Sequence, residues 1–287
     1  MHKRNHIFMV KSGLIKRSEA MQLDIDKAIT TAKRFLTGKL LQSGLNGYVI
    51  GLSGGIDSAV SCALAVAAVG PEKVLGVLMP YRTSSTHSHT DALTLVKQLG
   101  IDHRRIEISP MIDAYYAKID VSNRMRACNK MARERMSILF DVAHETGRLV
   151  LGTGNRTEIC LGYTTWYGDS ACSLNPIGEL YKTEVRQVAA RLDIPQAIID
   201  KPPTADLWEG QTDEGEIGVT YAQIDALLLR LVDDGEHSMA VLEKEGFPTT
   251  EISRVISMLN RNAFKRKLPD IAPLGRSDIP ENIQPGE

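Results

Sequence analysis

A glycine-rich segment carries the residue types best suited to chemistry in this chain: Ser53, Gly54, Gly55, Ile56, Asp57 and Ser58. Glycines allow a tight backbone turn that brings N–H groups toward an anion, and serines add hydroxyl donors. A helix that begins here would add about half a positive charge at its N-terminus. Asp57 would repel a phosphate unless the carboxylate and the phosphate share a Mg²⁺ ion. The segment therefore predicts a site for phosphate groups and magnesium.

Two other phosphate-binding motifs do not match this segment. A Walker loop requires a lysine after its second glycine, and the dinucleotide fingerprint requires Gly-x-Gly-x-x-Gly. Neither pattern occurs at residues 53–58. An ordinary glycine turn capped by serine and aspartate stays open as the alternative, because both residues are common helix caps.

The elements that must position this segment follow from the alternation of apolar runs and helical patterns along the chain. Strands are predicted at 47–52, 74–79, 105–108 and 149–152. Helices are predicted at 23–36, 59–68, 91–99, 125–146, 182–192, 221–232, 239–244 and 251–264. This order predicts an α/β fold, a Rossmann-like doubly wound, mostly parallel sheet with flanking helices in a single domain. Such sheets bind ligands at the carboxyl ends of their strands, where the strand order reverses.

Composition excludes several classes of protein. The 287 residues include 34 basic and 35 acidic side chains, so the net charge of −1 gives no general attraction to nucleic acid or acidic membranes. No apolar run approaches the roughly 20 residues of a membrane helix, and we expect neither a nucleic-acid nor a membrane partner. The four cysteines are scattered without a Cys-x-x-Cys pair, which favours reduced thiols in a cytoplasmic protein.

The chain is predicted to consist of one domain with less regular ends. Residues 1–20 are polar and form a possible flexible extension, residues 21–268 form the domain, and residues 269–287 form a tail rich in proline, glycine and charges. Within the domain, residues 201–218 are predicted as a long functional loop. Its Trp208, Asp213 and Glu214 would close over a reactive intermediate and exclude water.

The Ser-Gly-Gly-x-Asp-Ser pattern resembles the pyrophosphate loop of the ATP pyrophosphatase (adenine nucleotide alpha-hydrolase-like) superfamily. Its members adenylate a carboxylate or carbonyl oxygen and release pyrophosphate. Further motifs follow one another from about residue 25 to 269 as they do in ammonia-dependent NAD synthetases. These motifs are Leu-Gly-Thr-Gly-Asn-Arg-Thr-Glu at 151–158, Tyr-Gly-Asp at 167–169, Asn-Pro-Ile-Gly at 175–178, Leu-Tyr-Lys-Thr at 180–183, Lys-Pro-Pro-Thr-Ala-Asp-Leu-Trp at 201–208 and Lys-Arg at 265–266.

The resemblance implies an activity and its reactants. ATP, Mg²⁺ and ammonia would convert deamido-NAD to NAD through an acyl-adenylate, with release of AMP and pyrophosphate. It also implies a homodimer whose substrate site lies near the subunit interface. Glutamine-dependent forms carry an additional glutaminase domain, and the residues outside the matched region are too few to form one. Free ammonia, or ammonia from a separate partner, is therefore the expected nitrogen donor.

The resemblance also assigns individual residues. The expected ATP-binding residues are those of the loop 53–58 together with Thr153, Lys182 and Thr204, and the expected Mg²⁺ ligands are Asp57 and Glu158. The expected acceptor-binding residues are Arg133, Trp166, Ser173, Phe264 and Lys265. Simpler roles stay open, since Glu158 and the threonines could cap helices or turns. Lys182 could likewise be a solvated lysine, and Arg133 could belong to a solvated helix face.

Three acceptor positions depart from the family pattern. The family usually has lysine where this chain has Trp166, an acid where it has Ser173, and histidine where it has Phe264. The pocket could still take the same substrate, and the aromatic rings could stack on a nucleotide. A related ligase that amidates a different carboxylate is the main alternative, because changed polar contacts alter discrimination by several kcal/mol. A tRNA-thiolating enzyme is disfavoured by the missing cysteine pair. A non-catalytic nucleotide-binding module is disfavoured by the retained carboxylates.

Overall fold

Two buried apolar strands form the centre of the molecule. The computed structural model describes residues 23–117, 119, 123–204, 212–272 and 274. Within them, four parallel strands lie in the order β3-β2-β1-β4, with β1 at Gly47–Gly51, β2 at Val74–Leu78, β3 at Asp102–Arg105 and β4 at Arg148–Val150. The strand order reverses between β1 and β4, so a ligand crevice is expected where these two strands end.

Strand β3 lies three residues earlier than predicted. The prediction placed it at the apolar stretch 105–108, whereas its observed residues are mostly exposed and polar at the sheet edge. Ile106 and Ile108 follow the strand, and their N–H groups donate to the carbonyl oxygens of Leu78 and Pro80. The apolar signal thus came from residues that pack beyond the end of the strand.

Twelve α-helices surround the sheet within the described residues. They are α1 (Ile25–Ser43), α2 (Ile56–Val69), α3 (Thr86–Leu99), α4 (Ser109–Tyr116), α5 (Arg124–Thr146), α6 (Arg156–Leu161), α7 (Lys182–Arg191), α8 (Gln196–Ile199), α9 (Asp213–Ile217), α10 (Tyr221–Leu228), α11 (Met239–Lys244) and α12 (Thr249–Arg261). A single turn of π-helix at Leu229–Asp233 extends α10. No helix among the described residues is long and apolar enough to cross a membrane.

Alternation along the strands divides the core between the two faces of the sheet. Tyr48 and Ile50 of β1 pack with α1, α2, α3 and α7, whereas Val49 between them packs with α4 and α5. The Tyr48 hydroxyl donates to the carbonyl oxygen of Leu36 at 2.6 Å, which ties α1 to the sheet. Helices on both faces confirm the predicted doubly wound α/β arrangement.

A separate apolar cluster lies beside the sheet and holds α6, α10 and α12 together. Leu161, Ile224, Leu228 and Ile252 are fully buried in it. It anchors α6, the short helix that follows β4 and carries Glu158. The cluster therefore fixes one wall of the crevice against the sheet.

Candidate functional site

The glycine loop lies between β1 and α2, as predicted. Gly54 has φ of +75°, and a Cβ added there would lie 2.1 Å from the carbonyl oxygen of Ser88. Ser53 and Ser58 hydroxyls lie 3.2 Å apart, and Ser58 also donates to the Gly55 carbonyl oxygen at 3.0 Å. Gly55 is the N-cap of α2 and no side chain caps this helix, so its first N–H groups are left for an anion. The Gly55 N–H donates to Ser53 Oγ at 3.2 Å, so a serine caps the turn while α2 itself has no side-chain cap.

A buried ammonium group joins the two predicted metal ligands. Lys182 Nζ lies 2.5 Å from Asp57 Oδ2 and 3.3 Å from Glu158 Oε1. The Lys182 side chain is 3% exposed, and each carboxylate is 18% exposed. Burial alone would lower the pKa of Lys182, but Asp57 and Glu158 outweigh it and raise this pKa above its usual value. The lysine is therefore charged and is not a solvated surface residue.

Burial has the opposite consequence for the carboxyl group of Glu158. It raises the pKa of Glu158 to about 8, because the charged form loses hydration. The Lys182 ammonium opposes this rise, and the Asp57 carboxylate adds to it. Asp213 adds to the rise as well, so burial and two neighbouring carboxylates favour the protonated form of Glu158 while Lys182 favours the charged form.

Asn155, which the sequence analysis did not single out, positions both carboxylates. Its side-chain Nδ2 donates to Asp57 Oδ1 at 2.9 Å, and its Oδ1 accepts from the Glu158 N–H at 3.0 Å. Glu158 Oε2 in turn accepts from the Asn155 N–H at 3.2 Å, which completes a capping box at the start of α6. The Asn-x-x-Glu spacing is the sequence signal for this cap. Glu158 therefore does cap a helix, while its other oxygen faces Lys182.

The start of α7 is held by a buried aspartate from α10. Asp225 accepts from the Thr157 hydroxyl at 2.6 Å and from the Thr183 N–H at 2.8 Å. Thr157 Oγ1 accepts from the Lys182 N–H at 3.0 Å. These bonds fix the backbone at Lys182, so its side chain enters the crevice in one direction.

A tyrosine–aspartate network lies behind the lysine. Tyr221 donates to Asp213 Oδ2 at 3.0 Å, and Lys182 Nζ lies 5.2 Å from the centre of the Tyr221 ring. Tyr163 donates to Asp213 Oδ1 at 3.4 Å and also to Glu216. Burial raises the pKa of Asp213 above its usual value.

The segment predicted as a loop at 201–218 contains a helix. Asp213 and Glu214 lie in the first turn of α9, and Glu214 accepts from the Tyr221 N–H at 2.8 Å. A short helix of five residues gives too little periodicity to be recognised from sequence. Trp208 lies outside the described residues. The closing of this segment over an intermediate stays a prediction.

Lys201 ties the described beginning of this segment to the glycine loop. Its Nζ donates to Ser88 Oγ at 2.9 Å and to the Gly54 carbonyl oxygen at 3.3 Å, and it pairs with Asp91 at 3.1 Å. Thr204, three residues later, lines the same cavity as Thr153. The structure therefore brings both threonines and the loop to one cavity.

The predicted acceptor residues are more dispersed. Trp166 stacks on Tyr167 with ring centres 4.4 Å apart and meets Phe264 edge to face at 5.1 Å. Arg133 Nε donates to the Trp166 carbonyl oxygen at 3.2 Å. Ser173 lies elsewhere, at the edge of β4, where its hydroxyl accepts from the Val150 N–H at 3.1 Å.

Lys265 is the one of the five that lines the cavity. Its Nζ donates to the carbonyl oxygens of Gly162 and Thr164 at 2.8 and 2.7 Å. Burial lowers its pKa below the usual value. The ammonium is therefore engaged with backbone at the cavity wall.

The C-terminal end of α6 is clamped by residues about 100 positions later in the chain. Asn262 Nδ2 donates to the Leu161 carbonyl oxygen at 2.7 Å, across 101 positions. Arg266 donates to the Cys160 carbonyl oxygen at 2.7 Å, across 106 positions. The helix that carries Glu158 is thus held at its N-terminus by its own cap and at its C-terminus by α12 and the turn after it.

All these elements surround one cavity of about 1100 Å³ at the ends of β1 and β4. This volume lies near the upper end of the range that is usual for small-molecule sites. No group of three or more His, Cys, Asp or Glu side chains able to hold a metal occurs in the described part of the chain. Asp57 and Glu158 nevertheless fit Mg²⁺, because this ion is usually bound by one or two carboxylates together with water and substrate phosphates.

The fold and the loop define a doubly wound α/β protein with its ligand cavity at the point where strand order reverses. A family model described as NAD synthase matches residues 28–269. The chain belongs to this family, which confirms the resemblance noted in its motifs.

Relatives and solved structures extend this finding. An NH3-dependent NAD+ synthetase of Trichlorobacter lovleyi is 46% identical over 250 residues, which covers 87% of this chain and 91% of the relative. One from Fusobacterium nucleatum is 44% identical over 256 residues, covering 89% and 99%. The NMN synthetase of Francisella tularensis superposes with a TM-score of 0.78 at 34% identity, covering 88% and 99%. The NH3-dependent NAD synthetase of Campylobacter jejuni superposes with a TM-score of 0.75 at 33% identity, covering 88% and 100%.

Proposed function

We propose that this protein converts deamido-NAD to NAD with ATP and ammonia. The observation that carries the proposal is the Lys182 ammonium between Asp57 and Glu158, at the end of the glycine loop and inside a cavity of sufficient volume. The two relatives from Trichlorobacter lovleyi and Fusobacterium nucleatum are both ammonia-dependent NAD synthetases, and this chain matches most of the length of each. They support the same reaction.

The first step joins two anions. The nicotinate carboxylate attacks the α-phosphorus of ATP, a new O–P bond forms, and the bond to pyrophosphate breaks. Catalysis of such a step depends on positioning and charge neutralisation. The N–H groups at the start of α2 and the Lys182 ammonium would neutralise phosphate oxygens. Asp57 and Glu158 would hold Mg²⁺, which supplies further neutralisation of phosphate charge when bound.

The second step replaces AMP with nitrogen. Ammonia attacks the carbonyl carbon of the acyl-adenylate, the C–O bond to AMP breaks, and one proton leaves the nitrogen. The intermediate must be kept from water, since hydrolysis would waste the ATP. The buried side chains of Asp213 and Tyr221 and the partly buried Tyr163 lie beside Lys182 and support this exclusion.

A second acceptor is favoured by one comparison. The likeness to an NMN synthetase is as strong as that to an NAD synthetase, and NMN is the smaller amide. Trp166 and Phe264, which meet edge to face at 5.1 Å, stand at two positions where the family usually has polar acceptor residues. Nicotinic acid mononucleotide, the acid that corresponds to NMN, is therefore the alternative substrate.

We also infer a homodimer with the acceptor site near its interface. Exposed apolar side chains on α4 and α5 support this inference, among them Tyr115, Met125 and Phe140, which are 46%, 52% and 40% exposed. Light scattering after size exclusion tests it. A mass of 31.6 kDa per particle at micromolar concentration would refute the dimer.

The reaction is tested with ATP, Mg²⁺, ammonium and each acceptor in turn, and products are identified by mass spectrometry. We expect NAD, AMP and pyrophosphate from deamido-NAD. Formation of NMN alone would select the smaller acceptor, and absence of both amides would refute the proposal. Asp57→Asn should reduce pyrophosphate release at least about 100-fold, the scale seen when an electrostatic contact in a transition state is removed. Asp26→Asn, at an exposed ion pair on α1, is the matched control.

A further inference from the structure

The cavity has a second charged wall that the reaction above does not use. Arg254, Ser257 and Arg261 of α12 line it. Positions separated by three and four residues share one face of a helix, so these side chains form a row. At 1.5 Å rise per residue, the two arginine positions lie roughly 10 Å apart along the helix axis.

The two arginines are not engaged in ion pairs with any residue that the structure describes. Arg230, by contrast, pairs with Asp234 and Glu245, and Lys265 donates to two backbone carbonyl oxygens. A guanidinium group carries five donors in a planar fork that matches phosphate oxygens. The row therefore offers two uncommitted phosphate-binding groups.

Arg254 is also held in place by close packing. Its guanidinium lies against Gly218, where an added Cβ would be 2.1 Å from the nearest guanidinium nitrogen. Gly218 ends α9 with φ of +75°, a conformation that favours glycine. The glycine thus lets α9 and the arginine approach each other, which limits the directions the guanidinium can take.

The carboxylates elsewhere in the cavity would disfavour an anionic acceptor. Asp57, Glu158, Asp213 and Glu216 line the side near the glycine loop. Those carboxylates would repel the diphosphate of a dinucleotide, and Lys182 is already paired with two of them. Cations on the α12 wall would offset that repulsion at a distance from the ATP phosphates.

We propose that Arg254, Ser257 and Arg261 bind the phosphate groups of the acceptor nucleotide and favour an acceptor with two phosphates over one with a single phosphate. This proposal rests on the function proposed above. The ATP triphosphate is served by the glycine loop and Lys182, so the row acts on the acceptor. Arg254 and Arg261 on one helix face can both contact the two phosphates of a diphosphate. A single phosphate would engage only one of the two arginines fully.

The test uses Arg254→Gln, Arg261→Gln and the double variant in the full chain. Each single substitution should raise the KM for deamido-NAD about 10-fold, the scale of one hydrogen bond to a charged group. The KM for ATP should stay within about twofold, and the effect on nicotinic acid mononucleotide should be smaller than on deamido-NAD. Arg34→Gln, at an exposed position of α1, is the matched control.

Direct binding separates failure of this proposal from failure of the proposed function. Calorimetry measures binding of deamido-NAD to the wild type and the double variant without turnover. If the wild type forms no amide, the function is refuted, and the row is then judged on this binding alone. The proposal is overturned if the double variant binds deamido-NAD as tightly as the wild type does, or if neither protein binds it. A rise in the KM for ATP equal to the rise in the KM for deamido-NAD overturns it as well.

Discussion

Lys182→Met removes the buried ammonium while it retains most of the side-chain volume. The ammonium lies 2.5 Å from Asp57 and 3.3 Å from Glu158. At an effective dielectric constant of about 20, a pair of unit charges 3.3 Å apart attracts by about 5 kcal/mol, but desolvation offsets most of this. Removing one member of a buried pair costs about 3–5 kcal/mol because the remaining charges lose their partner. We therefore expect Lys182→Met to lower the free energy of unfolding by about 3–5 kcal/mol.

The loss should grow with pH. Burial raises the pKa of Glu158 to about 8, and the ammonium opposes this rise. Without Lys182, the folded variant retains the Glu158 proton to higher pH than the folded wild type does. A folded state that binds an additional proton loses stability as pH rises, by at most about 1.4 kcal/mol per pH unit. The difference between wild type and variant should therefore be larger at pH 9 than at pH 6.

Urea unfolding followed by circular dichroism measures these free energies, and a pyrophosphate assay measures the first reaction step. Lys97→Met, at an exposed position of α3, controls for the change of residue type. The reasoning is refuted if the free energy of unfolding of Lys182→Met at pH 9 lies within about 1 kcal/mol of the wild-type value and pyrophosphate release is retained. That result would show that the ammonium is neither buried nor in contact with phosphate.

Three further predictions concern the loop, the cap and the metal. Gly54→Ala places a Cβ 2.1 Å from the Ser88 carbonyl oxygen at a φ of +75°, so calorimetry should show ATP binding weakened at least tenfold; unchanged affinity would contradict the loop geometry. Asn155→Leu removes the hydrogen bond to Asp57 and the cap of α6, whereas Asn123→Leu removes only the cap of α5. Pyrophosphate release should therefore fall much more in Asn155→Leu than in Asn123→Leu. Equal losses in the two variants would show that Asn155 acts only as a helix cap. Chelation by EDTA should stop pyrophosphate release and leave the circular dichroism spectrum unchanged, and unfolding on chelation would point to a structural metal instead.

The central strands were predictable because their physics is local. β1 and β2 are short apolar runs buried on both sides, and the prediction placed each within one residue of its observed ends. β3 was not predictable in this way, since an exposed edge strand carries polar side chains. The helices α6 and α9 were missed because six and five residues give too little periodicity.

The candidate site likewise has one part that the sequence predicts and another that it does not. The position of the glycine loop between β1 and α2 could be recognised from adjacent residues, and the role of Asp57 stays a prediction. The contacts of Asn155 and Lys182 with Asp57 span 98 and 125 positions, so they depend on how the sheet brings β1 and β4 together. A sequence pattern indicates which residues are suited to chemistry, whereas strand order decides which of them meet.

The clamp on the end of α6 also bears on how the protein is made. Synthesis on the ribosome proceeds from the N-terminus, and β1, β2 and the glycine loop emerge long before Asn262 and Arg266 do. Contacts this distant in sequence form late in folding. A nascent chain would therefore hold a complete glycine loop while Glu158 still lacks its final position. Glu158 would reach that position only after Asn262 and Arg266 have docked against the end of α6.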